Sequence, residues 1–192
     1  PSRIRVEAGF PAFTVDPEWL RTPQRKTAAE DFLTRSVAEA VKRLVTRGGG
    51  TGNSGMVMID TPGQEILPRT SVLLKKTGVE VRLSVGLPAA GRTVLGKKAA
   101  ELLGRVVPSV IREGLFRFRR EGMKNHLELA DQQEHIRRFL KSRGFVAFVA
   151  NGSVLPRESG VSNRPLRSKE VVPFRSPPSL EIEIDIPHRD RP

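Results

Sequence analysis

The sequence predicts an α+β fold: a mixed, largely antiparallel sheet with a hairpin, packed by three to four helices. Three patterns carry that expectation. Val79, Val81, Leu83, Val85 and Leu87 alternate without a break behind Lys75-Lys76-Thr77-Gly78, the signature of a hairpin arm. Leu33, Val37, Ala40, Val41 and Leu44 recur at the spacing of one helix face. Phe145 to Ala150 is wholly apolar behind the helix-stopping Gly144, as in a strand buried on both faces. That run is expected at the centre of the sheet, with the polar stretch Asn151 to Arg167 leaving its carboxyl end, where open α/β sheets place ligands.

The elements follow in order. Ile4 and Val6 alternate with Arg3, Arg5 and Glu7, which reads as a half-buried strand. Thr27-Ala-Ala-Glu30 has capping-box spacing and places a helix over residues 27–46, ended by Gly48 to Gly50. A strand is expected over Met56 to Ile59, and Ser71 to Leu87 is the hairpin. Three helices follow: Val94 to Val107 on Leu95, Ala99, Leu102, Leu103 and Val106, then residues 109–120 and 123–143, with Pro108 breaking or restarting the first. Leu180 to Ile186 alternates with Glu181, Glu183 and Asp185, and these acids suit cross-strand pairing with Arg3 and Arg5.

Length and composition bound the function. The 192 residues can bury the core of one domain, so 1–192 reads as a single unit with a basic helical subregion over about 94–143. Absence of cysteine excludes disulfides and thiolate metal sites, and points to a reducing compartment, the cytoplasm. No apolar run approaches the roughly 20 residues that span a bilayer. The start without Met and the stop soon after an expected strand suggest a piece of a longer protein.

The net charge of +12 and pI near 11.1 point to a polyanion partner, because Lys and Arg gain affinity by releasing counterions from phosphates. No Tyr, one Trp and nine Phe argue against a surface built mainly for base stacking. The candidate nucleic-acid-binding residues are Arg112, Arg117, Arg119, Arg120 and Lys124, interleaved with Phe116 and Phe118, and then Arg137, Arg138 and Lys141 near the end of the next helix. The second group also has a structural explanation, since cations in a last turn suit the helix dipole.

Other motifs carry less. Arg47 to Gly55 resembles a phosphate loop, but Gly52-Asn53-Ser54 has Asn where a Walker A motif has Lys, and the loop runs from helix to strand. Asp60-Thr-Pro-Gly-Gln-Glu65 has the look of a GTPase switch without the upstream Lys and Ser or Thr that chemistry needs, so it reads as a turn. His126 and His135, nine residues apart, point to opposite sides of a helix, so no histidine pair and no metal site is expected. The residues show no self-contained active site.

The segments PSRIRV, GMVMIDTPGQEILPRTSV, VEVRLSVGLPAAGRTVLGKKAAELL, GFVAFVANGSVLPRESGVSNRPL and VVPFRSPPSLEIEIDIPHR, in that order, resemble the amino-terminal domain of the predicted ATPases of the ABC class. The resemblance covers nearly the whole chain. It implies a parent protein that binds and hydrolyses ATP with magnesium, and self-associates as ABC-type ATPases do. It also implies a nucleotide-binding domain, with its phosphate loop, beyond residue 192 as the intramolecular partner. Some members of the family are associated with RNA. No catalytic residue is carried over to any position of this chain.

Overall fold

The computed structural model describes residues 1–46, 53–61, 63–91 and 93–188. It has helices and antiparallel strands, an α+β fold, in two compact units, Pro1–Ala130 and Asp131–Pro192. The Gly-rich stretch 47–52 and Pro62 of the two loop motifs lie outside the described residues.

In the first unit the sheet is built on one hairpin. Strand β1 is Ser2–Gly9, β2 Val57–Met58, β3 Val72–Lys75 and β4 Gly78–Val85. All pairings are antiparallel, and β4 is the central strand, with β1 along one edge and both β2 and β3 along the other. The register places Ile4 opposite Leu83 and Val6 opposite Val81, so one face of the sheet is apolar. A short second ribbon joins β5, Ala89–Ala90, to β6, Thr93–Val94.

Helix α1, Pro23–Leu44, lays Ala29, Leu33, Val37 and Ala40 in the core. It begins four residues before the expected Thr27. Thr22 is the cap, its Oγ1 accepting from the Arg25 amide at 3.1 Å, and Pro23 supplies a preset φ at the first helical position. Glu30, read as half of a capping box, is buried instead, and accepts a 2.8 Å hydrogen bond from the Leu74 amide of β3. Burial pushes its carboxyl up, with the Leu74 amide and Lys26 pulling the other way.

Helix α2, Gly96–Glu101, continues through a π turn, Leu102–Val106, into α3, Val107–Phe116. Pro108 therefore restarts the helix rather than breaking it. Pro108 has no N–H for the carbonyl one turn back, and its ring would strike that carbonyl in a regular α-helix. The wider turn just before it relieves both problems. Helix α4, Arg120–Ser142, buries Met123, Leu127 and Ala130.

Within α4, His126 meets α1. Its Nε2 lies 2.8 Å from Asp31 Oδ2, and Arg35 donates to the same carboxylate at 2.7 and 3.2 Å. Burial pushes the Asp31 carboxyl up, but the hydrogen bonds from His126 and Arg35 together outweigh it and hold it below its ordinary range. Arg35 also donates to the carbonyls of Gly63 and Glu65, at 2.8 and 3.1 Å, so the GTPase-like stretch is tied down by a structural arginine.

On the sheet face opposite the core, Glu80 accepts from Lys75 Nζ at 2.8 Å and Arg82 Nε at 2.7 Å. These two hydrogen bonds hold its carboxyl down to about 2, against the opposing effect of burial. Its stabilising contribution is thus present above the ordinary carboxylate range and lost as pH falls toward 2. Glu30, shifted the other way, favours the fold below its unfolded pKa and loses that contribution as pH rises through the folded value. We expect urea unfolding midpoints to fall on acidification from pH 5 to pH 3, and Glu80→Gln to flatten that fall. An equally steep fall in the variant would assign it to other groups.

In the second unit α4 ends in a Schellman motif, as Gly144 led us to expect. Gly144 has φ +69°, its amide donates to Lys141 at 3.3 Å, and the Phe145 amide donates to Leu140 at 2.9 Å. Phe145 to Ala150 is not a buried central strand. It joins no ladder among the described residues and is exposed throughout, Val146 fully so. The physical reason is that an apolar run becomes a central strand only with partners on both edges, and here both edges of β4, not of this run, are occupied. Leu180 to Ile186 likewise forms no ladder, and the strand opposite Arg3 and Arg5 is β4, through Ser84 and Arg82. Asn151 organises the loop instead, donating to Glu181 at 2.6 Å and accepting from the Ser176 amide at 2.7 Å.

Candidate nucleic-acid interface

Between β1 and α3 lies an open groove of about 700 Å³. Its floor is apolar because two faces meet there. Ile4 and Val6 come from the inner face of β1, Val107, Pro108 and Ile111 from α3. The π turn ahead of Pro108 adds Leu103, 41% exposed, and the end of α3 adds Phe116, 45% exposed. Phe13 packs edge-on against the Phe116 ring, with centroids 5.6 Å apart at 86°, so that ring is braced on one side and open on another.

Arg112 and Arg117 supply charge at this groove, and no Asp or Glu is among its lining residues. Arg112 is exposed and has no partner among the described residues, whereas Arg117 makes a long 3.4 Å contact with Glu113. Arg5 lines the groove at the strand edge, its Nε 3.6 Å from Glu7. The other edge of β1 pairs with no strand among the described residues, so backbone N–H and C=O groups stand free beside the groove.

The remaining candidates are placed as follows. Arg119, Arg120 and Lys124 are exposed, unpaired among the described residues, and at the start of α4 rather than in the groove. A cation at a helix N-terminus works against the helix dipole, so α4 itself gains nothing from Arg119 and Arg120. Phe118, between them and Arg117, is a structural anchor packed on Trp19 and Phe32 at 6.0 and 5.6 Å. In the second unit, Arg138 pairs with Glu134 at 2.8 Å, while Arg137 and Lys141 are exposed and unpaired among the described residues. Lys141 lies in the last turn of α4, where the dipole explains it.

Of the sequence candidates, Arg112 and Arg117 line the groove, whereas Leu103 and Arg5, which also line it, were not among them. Leu103 was assigned to a buried helix stripe, and the signal that it turns outward is Pro108 five residues later. His126 was read only as an unpaired histidine, and nothing local reveals Asp31, 95 positions away, as its partner.

Residues 119–191 contain no Gly-x-x-x-x-Gly-Lys-Ser/Thr sequence, and among the described residues no three His, Asp or Glu side chains converge as metal ligands. No helix among them is long and apolar enough to cross a membrane.

Comparison with known families gives two adjoining matches. The family described as ATPase of the ABC class N-terminal matches residues 1–117, which hold the whole groove, and a P-loop domain family matches residues 119–191. No curated protein matches the sequence. N-terminal and P-loop segments thus occur together, and with its larger part matched by the N-terminal family the chain belongs to the ATPases of the ABC class.

Proposed function

We propose that the N-terminal segment of this chain is an accessory part of an ABC-class ATPase and that the chain offers a basic surface to nucleic acid, RNA in preference to DNA. The observation that carries the reading is local. Arg112, Arg117, Arg119, Arg120 and Lys124 fall within thirteen positions, all exposed, and only Arg117 has a carboxylate partner among the described residues. Exposed, unpaired guanidinium groups are what phosphate contacts require. ATP and magnesium belong to this reading as cofactors of the complete ATPase, and a cytoplasmic location goes with it. Self-association belongs to this reading as well.

The test is a fluorescence-anisotropy titration of the 192-residue chain with single-stranded RNA, duplex RNA and duplex DNA at several salt concentrations. Binding is expected to weaken steeply with salt. Replacing Arg117, Arg119 and Arg120 by Ala is expected to lower the slope of log K against log salt by roughly one per lost phosphate contact. No binding at low salt would leave the runner-up, a purely structural or dimerisation role in the ATPase.

A further inference from the structure

We infer that the groove between β1 and α3 seats unpaired nucleobases, so that the surface selects single-stranded over duplex nucleic acid. The inference rests on the nucleic-acid reading above and specifies how that surface is used. A polyanion that only needed charge would be served by Arg119, Arg120 and Lys124, which stand exposed at the start of α4, outside the groove. The groove adds something different: an apolar floor bearing Leu103 and Phe116, flanked by Arg112 and Arg117 with no acid in its lining. That combination matches a ligand with flat apolar faces and an anionic backbone. Its volume of about 700 Å³ lies within the roughly 300–1,000 Å³ of sites that enclose small ligands.

Strandedness follows from which parts of a base are accessible. In a duplex both faces of each base are stacked, and only edges and phosphates are offered. A base in a single strand can lay one face on Phe116, whose ring is braced by Phe13, and present its edge to the free backbone groups of β1. The overall shortage of aromatic residues fits a site for one or a few bases and not an extended stacking platform. Arg112 and Arg117 then meet the adjoining phosphates. An acidic peptide has the charge but lacks the flat faces, so it uses the rim and leaves the floor bare.

The test compares four probes on the full 192-residue chain at one low salt concentration: a labelled single strand, as RNA and as DNA, the same strand annealed to its complement, an abasic strand of equal length, and polyglutamate of equal charge as competitor. The base-bearing single strand is expected to bind about tenfold tighter than the duplex or the abasic strand, the scale of one stacked base. Phe116→Leu and Leu103→Asn are expected to erase that preference while leaving abasic affinity unchanged, and Arg119→Ala to weaken all strands alike. Circular dichroism melts check that the two exposed-site variants stay folded. If the duplex or abasic strand binds as tightly as the single strand, or polyglutamate displaces it as well as the unlabelled base-bearing strand does, the groove inference is overturned while the basic surface stands. If no probe binds at all, the nucleic-acid reading fails first and takes this one with it.

Discussion

Asp31→Ala is expected to lower the stability of the chain by about 3 kcal/mol. The Asp31 side chain is fully buried and is the shared acceptor for Arg35 on its own helix and His126 on α4. Removing the carboxylate leaves the mostly buried His126 without this partner and Arg35 with only the Gly63 and Glu65 carbonyls, and breaking a buried pair typically costs about 3–5 kcal/mol. The lower end applies because Arg35 is about one-third exposed, at 34%, and regains some hydration. Urea unfolding followed by circular dichroism reads the change. Asp31→Asn, which keeps the shape and one acceptor, is expected to lose less. The folded-state carboxyl lies below its ordinary range, so the wild-type advantage is present above that range and shrinks as pH falls. A loss under about 1 kcal/mol at neutral pH would show that the network is no stronger than exposed ion pairs.

Gly114→Ala is expected to destabilise despite a better helix former replacing a poor one. At an exposed helical site the change would gain about 1 kcal/mol. Here α1 and α3 touch through their backbones, and a Cβ at position 114 would lie 2.7 Å from Val37 Cα and 2.8 Å from its Cγ2. Val37 Cα moves only if α1 moves, and α1 is held by the cap at Thr22 and by the bond from Glu30 to β3. Overpacking of this kind costs about 1–3 kcal/mol and occasionally more. The net expectation is a melting temperature lower by roughly 2–4 °C for each kcal/mol lost. A rise in melting temperature would mean that the two helices part at little cost.

The elements that were legible in the sequence are those whose pattern is complete within one segment. The hairpin of β3 and β4 was readable because alternation and a polar turn sit side by side. Helix α1 was readable from its apolar spacing, though its start was misplaced, because Thr22-Pro23 and Thr27-x-x-Glu30 are both plausible starts and only the burial of Glu30 against Leu74 separates them. The stop at Gly144 was readable, since a left-handed glycine closes a helix with local hydrogen bonds alone. Phe145 to Ala150 and Leu180 to Ile186 were misjudged for one common reason. Apolar content and alternation state what a strand would bury, but a strand exists only where a partner accepts its hydrogen bonds.

The candidate site divides along the same line. Charge, helical spacing and the cluster Arg112, Arg117, Arg119, Arg120 and Lys124 come from the chain alone, because they concern residues near one another in sequence. The groove does not, since Ile4 and Leu103 are about a hundred positions apart and meet only when α3 packs beside β1. By itself, then, the sequence determined the α+β class, most helix and hairpin positions, the positive charge and the family. Only the tertiary structure decided that β4 is the sheet's centre, that Asp31 and His126 pair, and that two of the arginines border an apolar groove, because each depends on contacts between distant segments that no local pattern encodes.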